Sequence, residues 1–163
     1  MKRVEIIYGG ASNEKEISYL TAKSIYEHID TDLYNPGLTD LSKFDPDNFD
    51  SETIFFIAVH GEGGEDGKIQ TLLENKKRKF TGSSSESCIL TWDKVATKRA
   101  LIANDILTPQ FKSIKNNEHF DFNDSFFEES EHYFVKPNFN GSSYGISKVS
   151  DKKFNAVSYT HLR

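Results

Sequence analysis

The chain has 163 residues, a 36% apolar share and a net charge of -5, with a pI near 5.5. That is enough chain to bury a core in one or two small domains, and too acidic to favour nucleic acid or an anionic membrane as the main partner. Its basic residues are dispersed apart from Lys76, Lys77, Arg78 and Lys79, which read as a solvated helix end and the turn after it. A single cysteine, Cys88, excludes an intramolecular disulfide and a thiolate-only metal site, and is expected to be a small core residue. The opening apolar run is too short for a signal sequence or membrane span, so a cytoplasmic protein is expected.

Residues 4–8 form a β-branched and aromatic run that breaks at Gly9 and Gly10, as a buried strand does when it enters a loop. Asn13 and Glu16 then stand at capping-box spacing, with Ser12 an alternative cap, and Ile17, Leu20, Ile25 and Ile29 mark one face of the helix that follows. A second strand is predicted near residues 38–41, after a turn at Pro36-Gly37. Residues 53–59, TIFFIAV, are continuously apolar, as parallel strands are when both faces are covered, and the run ends at His60-Gly61. A helix from about Lys68 turns Ile69, Leu72 and Leu73 inward, and its polar end leads to Phe80-Thr81-Gly82 and a serine cluster. Alternating strands and helices imply an open, mostly parallel α/β sheet, whose ligands bind where loops leave the carboxyl ends of strands.

The texture changes at Asp93, which can cap a helix running to about Asn104; Thr108-Pro109 breaks it, and an acidic, phenylalanine-rich stretch, FDFNDSFFEESE, follows. A domain boundary is therefore expected near residue 93. Residues 132–137, HYFVKP, and 146–149 read as two strands of a hairpin around a glycine and serine turn.

Three places carry chemistry. NGSSYG, residues 140–145, offers backbone N–H groups and hydroxyls that suit phosphate oxygens, although an ordinary polar hairpin has the same composition. Lys136 stands at its entrance, either reaching what the loop holds or laying its stem along the sheet. HGEGGEDG, residues 60–67, sets four glycines and three carboxylates directly after a buried strand. Glu65 and Asp66 are explained by a helix N-terminus, whereas His60 can either donate to a substrate carboxylate or serve the structure. Glu14 either complements the first helix dipole or aims at a bound ammonium group.

YGGASNEKEIS (8–18), HGEGGEDGKIQTLLE (60–74), FTGSSSES (80–87), WDKVATKRAL (92–101) with its following TP, and FVKPNFNGSSYGISKV (134–149) resemble the successive signature blocks of the D-alanine:D-alanine ligases, in the family's order. The resemblance implies a Rossmann-like, pre-ATP-grasp substrate domain over residues 1–93 and an incomplete α+β ATP-grasp lobe over 94–163. It implies ATP-dependent joining of two D-alanines through an acylphosphate, for peptidoglycan precursor synthesis, with ATP and Mg2+ (or Mn2+) as cofactors. Carried over by position, Glu14 and Ser142 match catalytic residues, the first holding the ammonium of the first D-alanine. His60, Gly61 and Gly141 match substrate-binding positions, and Lys94, Lys136, Gly141, Ser142 and Ser143 match the nucleotide phosphate site. The implied partners are D-alanine, ATP and a second copy in a homodimer, with no nucleic acid and no membrane.

The family continues beyond the point matched by Arg163, through its adenine pocket, catalytic arginine and magnesium ligands, so no metal ligand is expected here and the chain alone is expected to lack activity. The tail SYTHLR, residues 158–163, fits the family poorly and reads as foreign or frame-truncated, and Tyr144 stands where a small apolar residue is common. A D-alanyl-D-lactate or D-alanyl-D-serine ligase, and a non-catalytic α/β binding module, are the alternative readings.

Overall fold

A computed structural model describes residues 1–115, 132–143 and 145–149. The acidic stretch 120–131, Tyr144 and the tail 158–163 lie outside the described residues. The chain divides into two compact units, Met1–Asp93 and Lys94–Arg163.

In the first unit, β1 (Lys2–Tyr8), β2 (Tyr34–Asp40), β3 (Ile54–Ile57) and β4 (Lys79–Thr81) form a parallel sheet in the order β2-β1-β3-β4. Because side chains alternate along a strand, the register Ile6↔Phe56 and Ile7↔Ile57 sorts the central strands into two apolar faces. Val4, Ile6 and Ala58 pack with Ala22, Ile25 and Ile29, so α1 (Lys15–His28) covers one face. Ile7, Phe55 and Val59 pack with Ile69 and Leu73 of α2 (Lys68–Asn75) and with Phe44 and Phe49 on the opposite face. The rings of Phe44 and Phe49 stand edge-on to Phe55 at 5.2 and 5.5 Å. Full burial of Ile6, Ile7, Phe55 and Leu73 contributes about 1.5–3 kcal/mol for each side chain. The central strands are apolar on both sides because both sides are covered.

Several sequence expectations need correction. Pro36 and Gly37 are not a turn: they lie inside β2, paired with Val4 and Glu5. β2 is an edge strand, where proline's missing N–H costs no ladder bond, and Gly37 leaves space for a half-buried ion pair. A Cβ there would fall 2.1 Å from Arg3 Nη2 and 2.4 Å from Glu5 Oε2, the two partners of a 2.6 Å contact. Glu5 also accepts from the Thr39 hydroxyl at 2.6 Å.

Along α1 the inward side is formed by Ser18, Ala22, Ile25 and Ile29, while Ile17 and Leu20 are each 52% exposed. Small residues let the helix lie close over the strands, so the apolar periodicity marked the inward face at Ile25 and Ile29 and missed it in the first half of the helix. The Asn13–Glu16 capping box does not form; α1 is entered at Glu14, whose N–H donates to Ser12 Oγ at 3.2 Å. Leu72 is 39% exposed rather than inward. Phe80 and Thr81 belong to β4, and the serine cluster opens a helix the sequence did not reveal, α3 (Ser85–Trp92), capped by Ser84. Glu74 of α2 accepts from the Ser85 N–H at 2.9 Å and from its hydroxyl, and these bonds hold its carboxyl below the usual range. Cys88 is half-buried on α3 and not a core residue; burial first, then nearby carboxylates, push its thiol up. The basic run is partnered: Lys76 with Asp47, Lys79 with Glu52, and Arg78 with the carbonyls of Phe49 and Asp50.

In the second unit, α4 (Lys94–Ala103) ends in a turn at Asp105, and Lys98 fastens the following segment by donating to Thr108 Oγ1 and the Pro109 carbonyl, at 2.7 and 2.6 Å. β5 (Tyr133–Val135) and β6 (Ser147–Val149) pair antiparallel, Tyr133 opposite Val149. Among the described residues no helix is long and apolar enough to cross a membrane.

Candidate functional site

In the first unit the loop after β1 and the residues that follow β3 are tied together by two serines. Ser12 Oγ donates to the His60 carbonyl at 3.1 Å and accepts from the Glu14 N–H at 3.2 Å. Ser18 Oγ donates to the Glu14 carbonyl at 3.2 Å and accepts from the His60 N–H at 2.9 Å. The main chains of Glu14 and His60 are thus bridged twice, and the two side chains are held at the carboxyl end of neighbouring parallel strands, where α/β folds bind ligands.

Gly61 completes the arrangement. Its φ of +72° is costly for a residue with a Cβ, and a Cβ built there would stand 2.7 Å from Glu14 Oε2 and 2.9 Å from Ser12 Oγ. The glycine is required both by the turn and by the closeness of the Glu14 carboxylate. Glu14 is only 8% exposed, yet no described residue donates a hydrogen bond to its carboxylate or pairs with it. A carboxylate so placed lacks the donors that usually offset burial, and the group best suited to supply them is a small cation with several N–H donors.

His60 has partners at both ring nitrogens: Thr21 Oγ1 lies 3.0 Å from Nε2, and Glu65 Oε1 lies 3.7 Å from Nδ1. Asp66 accepts from the Lys68 N–H at 3.1 Å at the start of α2, as expected of a carboxylate there. Burial works to raise the Asp66 carboxyl, but the N–H groups of Lys68 and Gly63 and the Lys68 ammonium outweigh it and hold the pKa below the ordinary value. Glu65 instead turns toward His60.

In the second unit, Asn138 is the anchor. Its side-chain oxygen accepts from the Val95 N–H at 2.9 Å and its carbonyl from the Lys94 N–H at 3.2 Å, fixing the first turn of α4. Lys94 Nζ reaches the Asn140 carbonyl at 2.8 Å. Burial, then the nearby charge of Lys136, lowers the Lys94 pKa, and neither ammonium pairs with a carboxylate among the described residues. Gly141 donates its N–H to Asn140 Oδ1 at 2.9 Å. Ser142 and Ser143 follow in left-handed conformations, φ 47° and 61°, with exposed hydroxyls that no described residue engages. Two mutually repelling cations, one of them held to the Asn140 carbonyl at the start of the loop, suit an anion of high charge density. Among the described residues no group of three or more His, Cys, Asp or Glu side chains is placed to hold a metal ion.

The structure therefore brings Glu14, His60 and Gly61 together in the first unit, and Lys94, Lys136, Gly141, Ser142 and Ser143 in the second. Sequence reasoning did not assign Ser12, Ser18, Thr21 or Asn138 to either site. Their bonds span 39 to 48 positions along the chain, and no local pattern announces them.

Fold and geometry together define an α/β protein whose candidate site residues in the first unit gather at the carboxyl ends of parallel strands. No protein-family model matches the chain. It is 37% identical to a D-alanine–D-alanine ligase of Marinomonas sp. over 91% of its own length, and 33% identical to D-alanine–D-alanine ligase B of Clostridium perfringens over 93%. A crystal structure of D-alanine–D-alanine ligase from Bacillus anthracis complexed with ATP superposes with a TM-score of 0.80 at 28% identity, covering 93% of this chain. The chain is a homologue of the D-alanine–D-alanine ligases, and it spans about half the length of the curated relatives it matches.

Proposed function

We propose that the chain supplies the first-substrate site and part of the nucleotide phosphate site of an enzyme that joins two D-alanines to D-alanyl-D-alanine with ATP, through an acylphosphate, for peptidoglycan synthesis. The observation that carries this reading is the Glu14 carboxylate, 8% exposed and without a donor among the described residues. In this role it accepts from the ammonium of the first D-alanine, and Gly61, with no Cβ to meet it, leaves the carboxylate in its place. His60 donates to the substrate carboxylate. The second unit acts as the first lobe of an ATP-grasp domain: Lys94 and Lys136 neutralise nucleotide phosphates, and Gly141, Ser142 and Ser143 form the loop that lies over them, with the Ser142 hydroxyl in the catalytic role.

ATP is the phosphoryl donor, as the ATP complex of the Bacillus anthracis ligase supports. Mg2+ accompanies the nucleotide, but the described residues supply no ligand cluster and this chain is assigned none. A homodimer and a cytoplasmic setting complete the proposal.

The test uses a chimera in which the second half of the Marinomonas ligase completes this chain. A charge-assisted hydrogen bond is worth about 1.5–3 kcal/mol, so Glu14→Ala should weaken first-site D-alanine binding by about ten- to a hundredfold and leave ATP binding near its original value. Equal loss of both would remove Glu14 from this role.

A further inference from the structure

Thr21 contacts the His60 ring, and the proposed function leaves its chemistry unused. It lies on α1, where a threonine hydroxyl ordinarily donates to the carbonyl four residues earlier. Thr71 and Thr91 do so, each at 2.8 Å. Thr21 makes no such bond; its hydroxyl is directed at His60 Nε2, 3.0 Å away. The contact serves either tautomer, but a hydroxyl proton with no other described acceptor finds one in an unprotonated Nε2, which would place the ring proton on Nδ1.

An independent contact points the same way. Nδ1 faces Glu65 Oε1 at 3.7 Å. A carboxylate attracts an N–H and repels a lone pair, so Glu65 also favours the proton on Nδ1. The main chain of His60 is fixed by Ser12 and Ser18, so the ring has little freedom to choose other partners.

We propose that Thr21 is a positioning residue: by donating to Nε2 it holds His60 in the tautomer protonated on Nδ1, and presents that N–H as the donor for a ligand carboxylate, the place Glu65 fills in this structure. The last step rests on the ligase reading; the tautomer does not.

The test is nitrogen-15 NMR of the histidine rings in the full chain without ligand, at about pH 8.5, above the ordinary histidine range of about 6.5. The His60 signals are identified by their loss in His60→Gln. The wild-type chain and Thr21→Ser should show His60 protonated on Nδ1. Thr21→Val, which keeps the shape and removes the hydroxyl, should lose that pattern and populate the Nε2–H form. A wild-type ring protonated on Nε2, or a folded Thr21→Val chain with an unchanged tautomer, overturns the proposal. If Thr21→Val does not fold, the wild-type tautomer alone decides. A parallel titration with D-alanine separates the two readings: an Nδ1–H tautomer with no response to D-alanine would sink the ligase role and leave the positioning contact standing.

Discussion

Glu14 and Gly61 set the terms at the scale of single residues. Glu14 is nearly buried and accepts no hydrogen bond from the described residues, so no donor of the fold depends on its carboxylate. Removing its charge should therefore cost the fold nothing. Glu14→Gln is expected to leave the thermal midpoint unchanged or raise it, while weakening D-alanine; a midpoint lowered by several degrees would show that Glu14 serves the fold instead. Gly61→Ala should do the opposite, since a Cβ meets both Glu14 and Ser12 and the positive φ adds strain. A loss of about 1–3 kcal/mol in denaturant unfolding is expected, together with loss of D-alanine binding. In the sequence, position after a strand and beside a glycine loop drew attention to Glu14 and His60 but left a structural role open to each, and only the family resemblance gave them substrate roles. Ser12, Ser18 and Thr21 were not legible, because a hydroxyl carries no pattern until the fold shows what it faces.

At the scale of elements, β2 shows how a half-buried pair shapes a strand. Gly37 leaves the gap in which Arg3 and Glu5 meet. Gly37→Ala would drive a methyl group into both partners, and a loss of about 1–3 kcal/mol is expected from overpacking, read by urea unfolding. An unaffected stability would mean that the arginine swings free at no cost. The start of α2 gives a pH signature. Asp66 has its folded pKa held below the unfolded value, so its contribution to stability is present above that ordinary value and is lost as pH falls through the lower folded one. The acid limb below about pH 3.9 should therefore be shallower in Asp66→Asn than in the wild type; identical limbs would refute the role.

The same scale shows where sequence reading succeeded and failed. β1 and β3 were plain because their apolar runs answer burial on both faces. β2 was shortened because Pro36-Gly37 is the commonest of turn signals, and only the edge position makes it tolerable in a strand. The first half of the inward face of α1 was misread because Ser18 and Ala22, not Ile17 and Leu20, meet the sheet. α3 was missed because SESCILTW has no apolar period to read.

Among the described residues, the two hydrophobic clusters lie within Met1–Asp93, and neither draws on a residue beyond Phe80. Residues 1–93 expressed alone should unfold in one cooperative transition; a non-cooperative melt would contradict the autonomy of that core. The likeness to D-alanine–D-alanine ligases runs through both units, whereas the site geometry is a property of each unit by itself.

The central claim is that the first unit binds the ammonium of D-alanine through Glu14. Its most direct test is an NMR titration of the full chain with D-alanine and, separately, with propionate, which has the same carbon skeleton and carboxylate but no ammonium. The expected result is that D-alanine shifts the amide signals of Glu14 and Gly61, that propionate does not, and that Glu14→Gln weakens the D-alanine response by about tenfold, or about 1.4 kcal/mol. Equal responses to the two ligands, or a Glu14→Gln chain that binds D-alanine as the wild type does, would contradict it.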